Sequence, residues 1–167
     1  MGTQQILLIV LSVIIVGAAI AVGIDMFNRQ DYISNRSAAA SDTQVYLTQV
    51  LQYYKMPEQL GGLGRELTHT GESELANEIA SYIGWGSDNP MQNDNAHYYI
   101  EVPADTDDVV YIKAISRTVL NGKRATVHGR ITFPEGKIES RVGDISEPDG
   151  NIDEGDFNFN NFTVSGE

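Results

Sequence analysis

Three observations in this sequence predict an α+β fold: a long N-terminal helix, apolar in its first half and amphipathic in its second, packed on a four-stranded antiparallel sheet. Residues 4–27, QQILLIVLSVIIVGAAIAVGIDMF, carry no charge before Asp25 and hold thirteen Ile, Leu or Val between Ile6 and Ile24. No glycine follows Gly23 until Gly61, and no proline appears until Pro57, so nothing interrupts a helix through that stretch. Beyond His97, four stretches of alternating β-branched and aromatic residues are joined by turn-forming links.

The apolar half comes first. Nineteen residues from Ile6 to Ile24 make roughly 28 Å of helix, close to the ~30 Å hydrocarbon layer of a bilayer. At about −0.3 to −0.6 kcal/mol per large aliphatic residue, insertion gains roughly 4–8 kcal/mol. A cleaved signal peptide fits poorly, because no Lys or Arg precedes the run and the run exceeds the usual length of about 7–15 residues. A helix apolar on every side must be covered on every side. The acidic remainder of the chain is too small to surround it, which leaves lipid or copies of itself. Gly17 with Ala21, and Ala19 with Gly23, provide the small-xxx-small spacing that lets helix backbones approach closely.

The second half, residues 25–56, alternates polar and apolar positions. Ile24, Phe27, Ile33, Ala38, Val45, Leu47, Leu51 and Tyr54 form the predicted apolar stripe. Asp25, Arg29, Asp31, Arg36 and Asp42 supply the polar faces. Pro57 ends the helix, giving one element from about residue 3 to 55, roughly 80 Å long. The following GGLG, residues 61–64, lacks the Lys-Ser/Thr of a phosphate loop and is expected to be a flexible exit. Residues 57–96 are a connection containing a short helix, because Leu75, Ile79, Tyr82 and Ile83 share one face before Gly84, a natural C-cap.

Residues 97–167 are the sheet region and an acidic C-terminal loop. The predicted strands are His97–Val102, Val109–Ser116, Arg124–Phe133 and Lys137–Val142. Asn121-Gly122 is the strongest short hairpin signal, and Pro134-Glu135-Gly136 a second tight turn. Short links favour an antiparallel meander with one face on the helix near Val45 to Tyr54. After Gly143 the chain reads as acidic loop, with FNFNNFTV a candidate last edge strand.

The apolar N-terminal segment, its amphipathic continuation to LQYYKMPEQLGGLG and the strand-rich C-terminal half together resemble a type IV pilin or pilin-like filament subunit. The first 64 residues match in pattern and the rest in architecture. The resemblance implies a subunit held in the membrane by its helix before assembly, then homopolymerised into a helical filament at the cell surface. The helix residues expected to meet other copies are Gln5, Ile6, Leu7, Val10, Ile14, Gly17, Ala21 and Gly23. Gln5 stands where pilins usually place a glutamate, so it accepts hydrogen bonds but forms no charge pair. The usual short basic leader is expected to have been removed ahead of Met1, or to be absent in this branch. A minor pseudopilin of a secretion or uptake machine, and a single-span membrane-anchored binding module, are the alternatives.

Little in the sequence suggests catalysis. There is no cysteine, hence no disulfide, thiolate metal site or thiol nucleophile. His69, His97 and His128 lie far apart and none belongs to an HExxH pattern, and no serine sits in a G-x-S-x-G elbow. The formal charge of −12 disfavours direct binding to nucleic acid or anionic headgroups. Asn35 and Asn161 begin glycosylation sequons, and Trp85 is expected in the core or at a subunit contact. No cofactor is expected, with one candidate cation. In PDGNIDEGD, Asp149, Asn151 and Asp153 sit at alternate positions, as in the D-x-N-x-D start of a calcium loop, and Asp156 is a candidate fourth ligand. Glu154 stands where an EF-hand has glycine, so a solvated acidic loop is the leading expectation, and resemblance to pilin-like proteins that carry calcium in a C-terminal loop keeps the ion as the alternative.

Overall fold

The computed structural model describes residues 2–67, 72–86, 89–103, 108–146, 152 and 154–157. Its first element, α1 (Gly2–Lys55), is a single helix of 54 residues. After a 3₁₀ turn (Glu58–Leu60) comes α2 (Glu72–Tyr82). The strands are β1 (Met91–Gln92), β2 (Ala96–Glu101), β3 (Val109–Leu120), β4 (Lys123–Thr132) and β5 (Lys137–Ser146), with a last 3₁₀ turn at Glu154–Phe157. All pairs are antiparallel in the order β1-β2-β3-β4-β5.

The sheet therefore has five strands, not four. The extra strand is two residues long, too short to show an alternating pattern. Side-chain amides hold it in place: Asn89 donates to the Ile100 carbonyl at 3.1 Å and accepts from the Ile100 N–H at 3.0 Å. Asn93 Oδ1 accepts from the N–H groups of Asn95 and Ala96, which closes the turn into β2. Asn121 and Gly122 both have positive φ, 54° and 70°, the geometry of a type I′ hairpin whose twist matches that of the strands it joins.

The second half of α1 crosses the inner sheet face. Tyr32, Ala39, Thr43, Leu47, Val50 and Tyr54 are buried at steps of seven, four, four, three and four residues, one side of a 3.6-residue helix. Ala39, Leu47, Val50 and Tyr54 pack with Tyr98 and Ile100 of β2, Val110 and Ile112 of β3, and Val127 and Ile131 of β4 in one core. The predicted stripe is thus corrected. Leu47 and Tyr54 belong to the buried face, but Ile24, Phe27, Ile33 and Val45 are 51–73% exposed. An irregular apolar pattern fits more than one helical sector, and the sheet's position selected the sector centred on Ala39, Thr43 and Leu47.

Gly129 sets how close the two layers come. A Cβ there would lie 2.7 Å from both Leu47 Cδ1 and Thr43 Cγ2, so α1 approaches β4 to a distance no side chain permits. Polar links tie the helix down along its length. Tyr32 Oη donates to Asp144 at 2.6 Å, and Asn35 accepts from Ser116. Asp42 Oδ2 accepts from Tyr98 Oη at 2.8 Å, from Asn95 at 2.9 Å and from Asn93 at 3.1 Å. Burial alone would raise the Asp42 pKa, but these hydrogen bonds outweigh it and hold the carboxyl below the usual carboxylate range.

The glycine-rich exit folds back as a cap, where a flexible segment was expected. Leu63 N–H donates to the Tyr53 carbonyl, Gly64 N–H to Met56 and Arg65 N–H to Tyr54, satisfying carbonyls that the helix end leaves open. Gly62 has no room for a Cβ, which would sit 2.4 Å from Met56. At the end of α2, Gly84 takes φ 90° and the Trp85 N–H reaches back to the Ala80 carbonyl, as a C-cap should. Trp85 itself is buried, edge-on to Tyr46 at 5.2 Å.

Candidate functional site

The candidate site is the first half of α1. Every large apolar side chain from Ile6 to Phe27 is more than half exposed, from 51% at Leu11 to 73% at Phe27. The most apolar 18-residue window has a mean hydropathy of 3.0, and none of it is buried in the chain. Covering a side chain of this size is worth about 1.5–3 kcal/mol, so fifteen of them sum to tens of kcal/mol. That exceeds the ~5–15 kcal/mol net stability of a whole domain. An exposed apolar surface of this size favours cover by lipid or by other protein.

Of the residues expected at subunit contacts, Gln5, Ile6, Leu7, Val10, Ile14, Gly17 and Ala21 are all exposed, while Gly23 is half-buried. The chain itself gives no reason for the small ones, since a Cβ at Gly17 or at Gly23 would meet nothing within 4 Å. Ser12, the one polar residue inside the run, turns its hydroxyl back to the Ile9 carbonyl at 2.8 Å. The run ends where Asp25 and Arg29 pair at 3.0 Å across one helical turn, both well exposed. This exposed pair is worth little in stability, but it marks the first position that prefers water.

Unpartnered apolar surface continues beyond this boundary. Phe27 and Val45 are 73% and 51% exposed. Lying eighteen residues apart, five full turns, they share a face turned away from the buried one. Ile33, 59% exposed, adds a second direction.

The candidate calcium ligands Asp149, Asn151 and Asp153 lie outside the described residues. Asp156 falls in the Glu154–Phe157 turn, half-buried. Among the described residues no group of three or more His, Asp or Glu gathers as a metal set. His97 and His128 lie on the sheet face opposite α1, in register with Ile115 and Lys113 respectively. His69 and the Asn161 sequon are outside the described residues, and Asn35 of the other sequon is engaged with Ser116. Comparison with protein-family models, with curated proteins and with solved structures returned no match.

Proposed function

We propose that the chain is the structural subunit of a type IV pilus-like filament, held in a membrane by residues 6–24 and then homopolymerised through α1 into a helical bundle outside the cell. One observation carries this reading: a single unbroken helix leaves one half bare on all sides and fixes the other half to a folded domain. A membrane anchor explains the bare 28 Å, but not Phe27, Ile33 and Val45, which extend apolar surface about 30 Å past Ile24 along the helix axis. Copies staggered along the axis would cover those residues as well as the apolar half. The uncrowded Gly17 and Gly23 suit such contacts, because small residues let backbones approach.

Electron microscopy of the full chain, purified in detergent and then depleted of detergent, tests the reading. Long filaments of uniform width are expected. Short stubs would point to a pseudopilin role, and particles that stay monomeric in detergent and in bilayers would replace the filament with an anchored module.

A further inference from the structure

The sheet face turned away from α1 is electrically unlike the rest of the chain. Residues 109–143 hold seven of the eleven Lys and Arg but two of the twenty-three Asp and Glu; elsewhere four basic residues face twenty-one acidic ones. Strand register gathers much of this charge on the outer face. Tyr99, Lys113, His128 and Arg141 form one cross-strand row, and Glu101, Tyr111, Arg130 and Glu139 the next. Tyr111, His128, Arg130, Glu139 and Arg141 line an open recess of about 160 Å³. Glu139 pairs with Arg130 and, at 2.8 Å, with Lys137, while Glu101 pairs with Lys113, so among the described residues four basic side chains (Lys113, Arg130, Lys137 and Arg141) face two acidic ones here.

Burial first, and neighbouring cations second, lower both histidines on this face. His97 is pushed below its ordinary range by burial and by Arg117 and Arg124. His128 is lowered by burial and by Lys113, Arg141 and Arg130, against the opposing pull of Glu101. The chain also shows what such a face accepts. The turn Glu154–Phe157 contacts β3, and the Phe157 ring stacks on Tyr99 at 5.4 Å and is 1% exposed. An acidic segment with an aromatic foot already occupies one end of the face.

We propose that the open end, the recess of Tyr111, Arg130 and Arg141, docks an acidic segment of a second copy of this chain, an electrostatic contact separate from the helix bundle. It rests on the filament reading in requiring neighbouring copies. Charge complementarity selects a copy as the partner. A free polyanion approaching the subunit meets a net −12, whereas a copy already held alongside by its helix presents mostly acidic surface. At such separations, inside the ~8 Å screening length of physiological salt, complementary patches attract. Linkage through the helices also makes the second contact effectively intramolecular.

The test uses the full chain. Isotope-labelled and unlabelled copies are mixed in detergent, assembled by its removal, and treated with a carbodiimide that joins carboxylates to lysines. Mass spectrometry is expected to find mixed-isotope cross-links from Lys137, beside the recess, to an acidic peptide of another copy. Their yield should fall several-fold in 1 M NaCl, where screening shortens to ~3 Å, and several-fold in the R130Q/R141Q double variant. Both arginines are exposed, and an unchanged thermal melt would establish that the variant is folded. Same-isotope cross-links alone, in micrographs that show filaments, would overturn the contact and leave the filament reading standing; the same result without filaments would overturn both. Loss of mixed cross-links only when polyphosphate protects Lys137 supports a shared anion-accepting face, whereas polyphosphate protection with no mixed cross-links in its absence would assign the face to an external polyanion instead.

Discussion

The two halves of α1 share one backbone and one secondary structure, yet their side chains meet opposite fates. Between Ile6 and Phe27 no large apolar side chain is less than half exposed, whereas Leu47 and Val50 are wholly buried. Helix formation is local: neither half contains proline, and the modest helix propensity of the many Ile and Val in the first half does not interrupt a continuous hydrogen-bonded backbone. Burial is not local. It depends on what lies opposite, which for the second half is the sheet and for the first half is supplied by no other part of the described chain.

If that contrast is right, substitutions in the two halves should fail in different assays. The largest effect is expected for Ile14→Asp. At the centre of the apolar half it swings the insertion balance by roughly 3–4 kcal/mol, a factor of several hundred. Membrane insertion and filament formation should be lost while the urea midpoint of the sheet domain stays put; a domain destabilised to the same degree would show that the halves are not independent. The converse is Leu47→Ala, which deletes a fully buried side chain and should cost about 2–5 kcal/mol of domain stability. Flotation with lipid vesicles should not change.

Two glycines make a matched pair with smaller effects. Gly129→Ala forces a Cβ against Leu47 and Thr43 and should cost about 1–3 kcal/mol of domain stability. Gly17→Leu meets no crowding in its own chain, so the domain melt should be unchanged while filaments shorten or vanish, at about 1–3 kcal/mol per contact. Filaments of normal length from Gly17→Leu would remove the small residues from the packing scheme.

The smallest predicted effect is a pH dependence confined to the fixed half. Asp42 has a folded pKa below its unfolded one, so its hydrogen bonds contribute stability that is fully present above the unfolded value of ~3.9. As pH falls, the unfolded chain takes up the proton first, and stability drains away until the folded carboxyl also titrates. The melting temperature should therefore decline between about pH 5 and pH 3. Asp42→Asn should start lower and decline less, and identical slopes for the two proteins would move the dependence to other carboxylates.

Much of this architecture was legible in the sequence, for reasons particular residues make plain. The absence of helix breakers between Gly23 and Pro57 defined α1 almost to the residue, and Asn121-Gly122 located the β3–β4 hairpin. The short strand β1 was not legible, because its pairing is held by the Asn89 and Asn93 side chains and not by any periodicity. The concentration of seven basic residues between Lys113 and Arg141 was visible in the sequence, but only strand register shows that much of it shares one face.

Composition and periodicity by themselves determined that this chain is a long helix followed by an antiparallel sheet, and that residues 6–24 seek an apolar medium. Those are short-range properties, set by backbone freedom and by transfer from water. Only the tertiary structure decided which sector of the amphipathic half is buried, that Gly129 lies against Leu47 and Thr43 with no room for a Cβ, and that Asp42 gathers Tyr98, Asn93 and Asn95. Each of these joins residues at least fifty positions apart, and the chain alone does not say which distant side chains will share a surface until the sheet has taken its place against the helix.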